Sequence, residues 1–371
     1  MKIHVTDEFI ALASLNSPSR REGPVAGYLV TRLNELGLHA VADGSAPQTG
    51  SDTGNLIVRV PGNADGPTIL LCAHMDTVGP TEGMVPVVRE GVVYSNGETV
   101  LGADDKAGIA EIMAALEHLV AHPEIPRGDV KVAFTPDEEI GHGAKLLDLE
   151  KFGADFAYTI DGGAVGEMSY ETFNAAKARI TIHGRSVHPG KSKNKMVNSI
   201  LLGMELAAML PPDETPARTE GYEGFYHLMN FNGNVETTVM EYIIRDHSAE
   251  RFAERKNAVE AAVSAINERH GAGRAELEMS DQYYNMLDKI KPQMHIVETA
   301  MEAMRQVGLE PKIIPVRGGT DGSQLSCRGL LTPNIFTGAH NAHGKHEFIP
   351  VPSMEKAVEV ILKIVELYAT K

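Results

Sequence analysis

Apolar runs of two kinds divide the first 160 residues. Short runs at 55–60, 68–73, 130–134 and 156–160 have the length of strands, and the turn Pro61-Gly62-Asn63 separates the first two. Longer stretches recur at three-and-four spacing. They are residues 7–16, residues 22–37 (Val25, Leu29, Val30, Leu33 and Leu36), and residues 105–121, where Ile109, Ile112, Met113, Leu116, Leu119 and Val120 form one stripe. Strands alternating with helices predict an α/β layer with helices on both faces.

The pattern then changes. Residues 176–183 alternate, with Ile180 and Ile182 on one face and Arg179, Thr181 and His183 on the other. A helix at about 195–210, strands near 225–232 and 237–245, a helix from an N-cap at Ser248 to His270, and a strand at 275–279 follow. The order β-α-β-β-α-β is the split arrangement of two helices on one side of an antiparallel sheet. From about 290 the α/β pattern returns, with helices at 293–307 and 354–369 and strands near 312–316 and 334–337. The expectation is a discontinuous domain, 1–173 and 287–371, carrying an inserted α+β domain at 174–286.

Composition narrows the class. The net charge of -16 argues against a nucleic acid or an anionic membrane as partner. Two cysteines, Cys72 and Cys327, are too few for a disulfide framework and fit a reducing compartment. No stretch has the pattern of a signal peptide or the length of a membrane span, so the expected address is the cytoplasm. Neither G-x-G-x-x-G after a strand nor a Walker loop is present, which sets nucleotide chemistry aside.

The strand ends carry the candidate chemistry. The run 68–73 leads into His74-Met75-Asp76, and alternation lets His74 and Asp76 face one space. Asp104-Asp105 stands where a loop becomes a helix, Glu138-Glu139 follows a strand, Asp161-Gly162-Gly163 ends another, and His343 and His346 lie in a late polar loop. Singly, each has an ordinary use as a helix cap, a solvated loop, a turn or a surface histidine. Four strand ends in one domain each presenting a His, Asp or Glu point instead to a metal centre. The mixed nitrogen and oxygen set suits zinc, manganese or cobalt better than calcium or magnesium, and five or more ligands with one shared carboxylate suggest two ions.

These stretches resemble the co-catalytic dizinc peptidase family that also holds carboxypeptidase G and succinyl-diaminopimelate desuccinylase. The likeness runs through His74-Met-Asp76, Leu101-Gly-Ala-Asp104-Asp-Lys-Ala-Gly108, Pro136-Asp-Glu138-Glu139-Ile-Gly141, Tyr158-Thr-Ile-Asp161-Gly-Gly163, Val187-His188-Pro-Gly190, Tyr242-Ile-Ile-Arg245-Asp246, Arg317-Gly-Gly-Thr-Asp-Gly322 and His343-Gly-Lys-His-Glu347. It covers essentially the whole chain. The resemblance implies a catalytic domain with a mixed sheet flanked by helices and an inserted lid or dimerisation domain. It implies His74 and Asp161 on one zinc, Glu139 and His343 on the other, and Asp104 bridging both, with a cis peptide between Asp104 and Asp105. Asp76 would hold the His74 imidazole, Glu138 would be the general base, and His188 would donate to the oxyanion. Arg245 would grip the substrate's terminal carboxylate, aided by backbone N–H groups of Gly318-Gly319-Thr320.

The implied activity is removal of the N-terminal residue from short peptides, tripeptides in particular. A dipeptidase or N-acyl amino acid deacylase of the same family, or a non-catalytic peptide-binding relative, would share much of this pattern. A homodimer through an open edge of the inserted sheet is a further implication.

Overall fold

The computed structural model describes residues 5–369. It divides into two compact units, residues 5–170 with Met286–Ile314 and 320–369, and Glu171–Asn285 with Pro315–Gly319.

The first unit is built on an eight-stranded mixed sheet. In spatial order its strands are Val41–Ala42, Leu56–Val60, Val130–Thr135, Ile69–His74, Phe156–Gly162, Asn334–Phe336, Glu167–Ser169 and Lys312–Ile313. The four from Val130–Thr135 to Asn334–Phe336 run parallel. Ile69–His74 is buried at every position because both faces of the sheet are covered. Ile69, Leu71 and Ala73 enter the larger core, with apolar residues of helices Val5–Ala13, Gly23–Glu35, Ala103–Ala121, His295–Gln306 and Val351–Ala369. Leu70 and Cys72 face the other way, toward Ala133, Ala157, Phe152 and Leu325. Since the central strands run the same way, their carboxyl ends open at one edge, where His74 stands opposite Thr135. Open α/β sheets hold their ligands at such edges.

Helix Ala103–Ala121 lies close against strand Phe156–Gly162, and Gly108 makes that approach feasible. A Cβ at Gly108 would meet the Ile160 carbonyl oxygen at 1.9 Å and Asp105 Oδ1 at 2.4 Å.

A small three-stranded sheet was not foreseen. Val87–Arg89 and Val92–Tyr94 form a hairpin through Glu90 and Gly91, both at positive φ, and Phe348–Pro350 pairs with its second strand. The loop carrying His343 leads directly into that last strand.

The second unit is the β-α-β-β-α-β arrangement expected from the change in periodicity. Its antiparallel sheet has the order Phe225–Gly233, Thr237–Asp246, Asn174–His183, Ala275–Tyr283. Helices Ser199–Ala207 and Ala249–His270 bring Leu202, Leu206, Phe252, Val259 and Ile266 against Ile180, Ile182, Met240 and Ile244. Ser248 caps the longer helix by accepting from the Arg251 N–H, and Asn198 caps the shorter by accepting from Ile200. Among the described residues no helix is long and apolar enough to cross a membrane.

Two glycine substitutions separate close approach from backbone freedom. Gly108→Ala should destabilise the chain by about 1–3 kcal/mol through overpacking. Gly27→Ala, in helix Gly23–Glu35 with no atom within 4 Å of the added methyl, should stabilise by about 0.5–1 kcal/mol. Midpoints of urea unfolding check both.

Candidate metal centre and substrate residues

The first unit brings seven of the expected residues together. His74 ends a central strand, and its Nδ1 lies 3.0 Å from the main-chain oxygen of Asp76. That bond places the ring proton on Nδ1 and leaves the Nε2 lone pair for a ligand. Nε2 is 2.9 Å from Asp104 Oδ1 and 3.7 Å from Asp161 Oδ1. The second oxygen of Asp104 faces a different imidazole, His343 Nε2, at 3.0 Å. His343 Nε2 is also 3.2 Å from Glu139 Oε1. Asp104 thus stands between the two histidines, each of its oxygens toward one of them. Its peptide bond to Asp105 is cis, and both residues have non-helical backbone at the start of helix Ala103–Ala121.

Asp76 does more than orient an imidazole. It is fully buried, and its carboxylate accepts from the backbone N–H of Glu138 (2.9 Å) and of Glu139 (3.1 Å) and from Ser19 Oγ (2.7 Å). The His74 ring is 3.3 Å from the same carboxylate. One side chain therefore seats the strand-end histidine and the Glu138-Glu139 turn. That turn is entered through Asp137 at φ 61, a left-handed conformation that non-glycine residues seldom adopt. Asp137 is held there by the Arg20 N–H on its Oδ1 (2.7 Å) and by the buried Glu22, which accepts from the Asp137 N–H (3.0 Å).

Glu347 is a residue whose part the sequence reading left unassigned. It is 1% exposed, and its two oxygens accept from the backbone N–H of Gly102 (2.8 Å) and of Asp104 itself (3.0 Å). The stretch that supplies His343 thereby fixes the stretch that supplies Asp104. Asp105 is a second such residue: it is fully buried, its Oδ2 accepts from the His74 N–H (3.0 Å), and it lies near Asp161. The signal for both was position alone, an acid beside or four residues after a candidate ligand. Asp321 is a third, its oxygens taken by Thr135 Oγ1 (2.6 Å) and the Ala144 N–H (2.8 Å) beside the strand that leads to Glu138.

The electrostatics are those of carboxylates crowded around two imidazoles. Burial would depress His74, but Asp104, Asp76 and Asp161 outweigh it and raise its pKa well above the usual value. Asp104 and Glu139 hold His343 up to about 10. Burial opposes ionisation of Asp104, yet His343 and His74 draw its pKa below the ordinary range. Asp161 and Glu138 are pushed up, mainly by burial, with the neighbouring carboxylates adding to it.

The donor set fits a pair of borderline divalent cations. Two imidazole nitrogens and the oxygens of Asp104, Glu139 and Asp161 are the mixed set that zinc, manganese or cobalt favours. Glu139 Oε1 is buried without a hydrogen-bond partner although a histidine nitrogen is 3.2 Å away. His74, Asp104 and Glu139 offer ligand atoms within 4.8 Å of one another.

The remaining expected residues lie in the second unit, except Thr320. His188 is exposed, and its Nδ1 accepts from the Gly190 N–H at 3.2 Å, so the ring proton sits on Nε2, free to donate outward. Arg245 is 9% exposed and has no carboxylate partner among the described residues. Its neighbour Asp246 pairs with Arg255 instead (2.8 Å). Thr320 departs from the expectation that its N–H serves a substrate carboxylate. It caps helix Asp321–Cys327, its hydroxyl accepting from Ser323 and its own N–H donating to Ser323 Oγ, a closed capping box that spends both groups. The loop's candidate donors reduce to Gly318 and Gly319.

Comparison with known proteins shows the family. Residues 70–367 match the profile of Peptidase family M20/M25/M40. A protein named Peptidase T from Clostridium novyi is 50% identical over 99% of this chain and 88% of its own length. The crystal structure of aminopeptidase PepT from Bacillus cereus superposes with a TM-score of 0.87 at 29% identity, covering 99% of this chain and 98% of that one. A tripeptidase from Staphylococcus aureus gives 0.90 at 27% identity, with the same coverages. The chain is a member of the M20/M25/M40 family of peptidases.

Proposed function

We propose that this chain is a cytoplasmic dizinc aminopeptidase that removes the N-terminal residue from short peptides, tripeptides among them. Family membership supports peptide hydrolysis, and relatives named aminopeptidase PepT and tripeptidase support the substrate class. Two free cysteines, one of them buried, suit a reducing compartment. The observation that carries the reading is Asp104, with its two oxygens 2.9 and 3.0 Å from two different histidines.

In this reading His74 and Asp161 hold one ion, Glu139 and His343 the other, and Asp104 is shared. When bound, such ions supply Lewis acidity that polarises the scissile carbonyl. Glu138 takes a proton from the attacking water and passes it to the leaving amine. Its backbone is fixed by Asp76, so its placement does not depend on its own contact with an ion. His188 Nε2–H donates to the oxygen that gains charge as the carbonyl is attacked. Arg245 receives the free carboxylate at the far end of the peptide as a fork, with Gly318 and Gly319 offering backbone N–H groups.

Release of the first residue from tripeptides, measured beside dipeptides and N-acyl amino acids, tests the reading. Tripeptides should be turned over best and a chelator should abolish turnover; preference for N-acyl amino acids would overturn it. Glu138→Gln should lower kcat by about 10²–10⁴-fold with metal content unchanged by elemental analysis. Asp104→Asn should lose metal outright. Glu347→Ala leaves two backbone N–H groups without acceptors, at about 1–3 kcal/mol each. Its expected outcome is partial metal loss and a lowered melting temperature.

A further inference from the structure

Strands Thr237–Asp246 and Ala275–Tyr283 both pair with Asn174–His183, and at one level Arg245, Ala175 and Tyr283 stand in register across the three. A bulge creates that alignment. Asp281 is opposite Ala176 and Tyr283 opposite Ala175, so Gln282 is the additional residue. An extra residue in one strand re-aims the side chains around it. Here Arg245 Nη2 donates to Gln282 Oε1 at 3.1 Å, and the Arg245 guanidinium carbon lies 5.4 Å from the centre of the Tyr283 ring. Nη1 donates to the carbonyl oxygens of Ala176 (3.1 Å) and Ile244 (3.0 Å).

Gly319 packs close to the same ring, where a Cβ would come within 2.8 Å of Tyr283 Cζ. Only a residue without a side chain fits that approach. The guanidinium is thus held by carbonyls, an amide and an aromatic ring, all of them uncharged. A largely buried cation held this way keeps its charge for an incoming anion, which an acid in the same seat would neutralise.

We infer that Gln282 and Tyr283, seated by the bulge and by Gly319, are positioning residues that fix Arg245 and so set the demand for a free C-terminal carboxylate on the peptide. This rests on the reading of Arg245 as the residue that takes that carboxylate. It adds a specificity determinant on a strand where neither sequence pattern nor charge marks one.

Steady-state kinetics on a tripeptide and on the same tripeptide amidated at its C-terminus test it. The wild type should favour the acid in kcat/KM, and Arg245→Ala should remove the preference. Gln282→Ala should raise KM for the acid about tenfold, the loss of one hydrogen bond to a charged group, with kcat and the amide nearly unchanged. Gln282→Glu should raise KM for the acid further, because its carboxylate occupies the guanidinium. If Arg245→Ala erases the preference while both Gln282 variants keep the wild-type ratio, the inference is overturned and the reading of Arg245 stands. If Arg245→Ala leaves the ratio intact, that reading fails and the inference with it. Equal losses on acid and amide would mark Gln282 as merely structural and overturn the inference. Gln282 is exposed, so its variants should fold, and their melting temperatures verify it.

Discussion

Carboxylates do not gather in a shielded space unless positive charge stands among them. In the first unit Asp104, Glu139 and Asp161 converge on His74 and His343, with Asp105 and Glu138 close behind. The two imidazoles can satisfy only part of that set, and a buried oxygen of Glu139, 3.2 Å from His343, makes no well-formed hydrogen bond. Most of the surrounding architecture serves to keep these groups from relaxing apart. Parallel strands deliver them to one edge, and buried acids behind them accept the backbone N–H groups of the stretches that carry the ligands.

Asp76 and Glu347 show how that restraint is built. A carboxylate that accepts from main-chain N–H groups fixes where a neighbouring side chain begins, without competing for what that side chain binds. Asp76 does this for Glu138 and Glu139, and Glu347 for Gly102 and Asp104. Each also joins segments distant in the chain, so the geometry of the centre is a property of the fold and not of any one loop.

How much of this could be read in advance follows from range. Periodicity gave the α/β layer and the split sheet because both signals are local: the uninterrupted run before His74, and the alternation of Ile180 and Ile182 with Arg179 and Thr181. The hairpin Val87–Arg89 and Val92–Tyr94 escaped because three-residue strands carry no resolvable period and their partner, Phe348–Pro350, lies some 250 residues on. Glu347 was visible only as the end of a motif, since its role consists of bonds to Gly102 and Asp104. The capping box at Thr320 was not visible for a different reason. Its helix is seven residues long, and a cap completed by Ser323 in place of Glu or Gln lacks the usual mark. The bulge at Gln282 left no trace, because an inserted residue is defined only against its partner strand.

The arginine seat has a consequence for how such a protein can change. Arg245, Gln282, Tyr283 and Gly319 all belong to one unit, and every candidate metal ligand to the other. If Arg245 takes the peptide's carboxylate as proposed, mutational drift on the bulged strand would retune which peptide ends are accepted without altering a single candidate metal ligand. Only His188, proposed to act on the carbonyl, shares a unit with that seat.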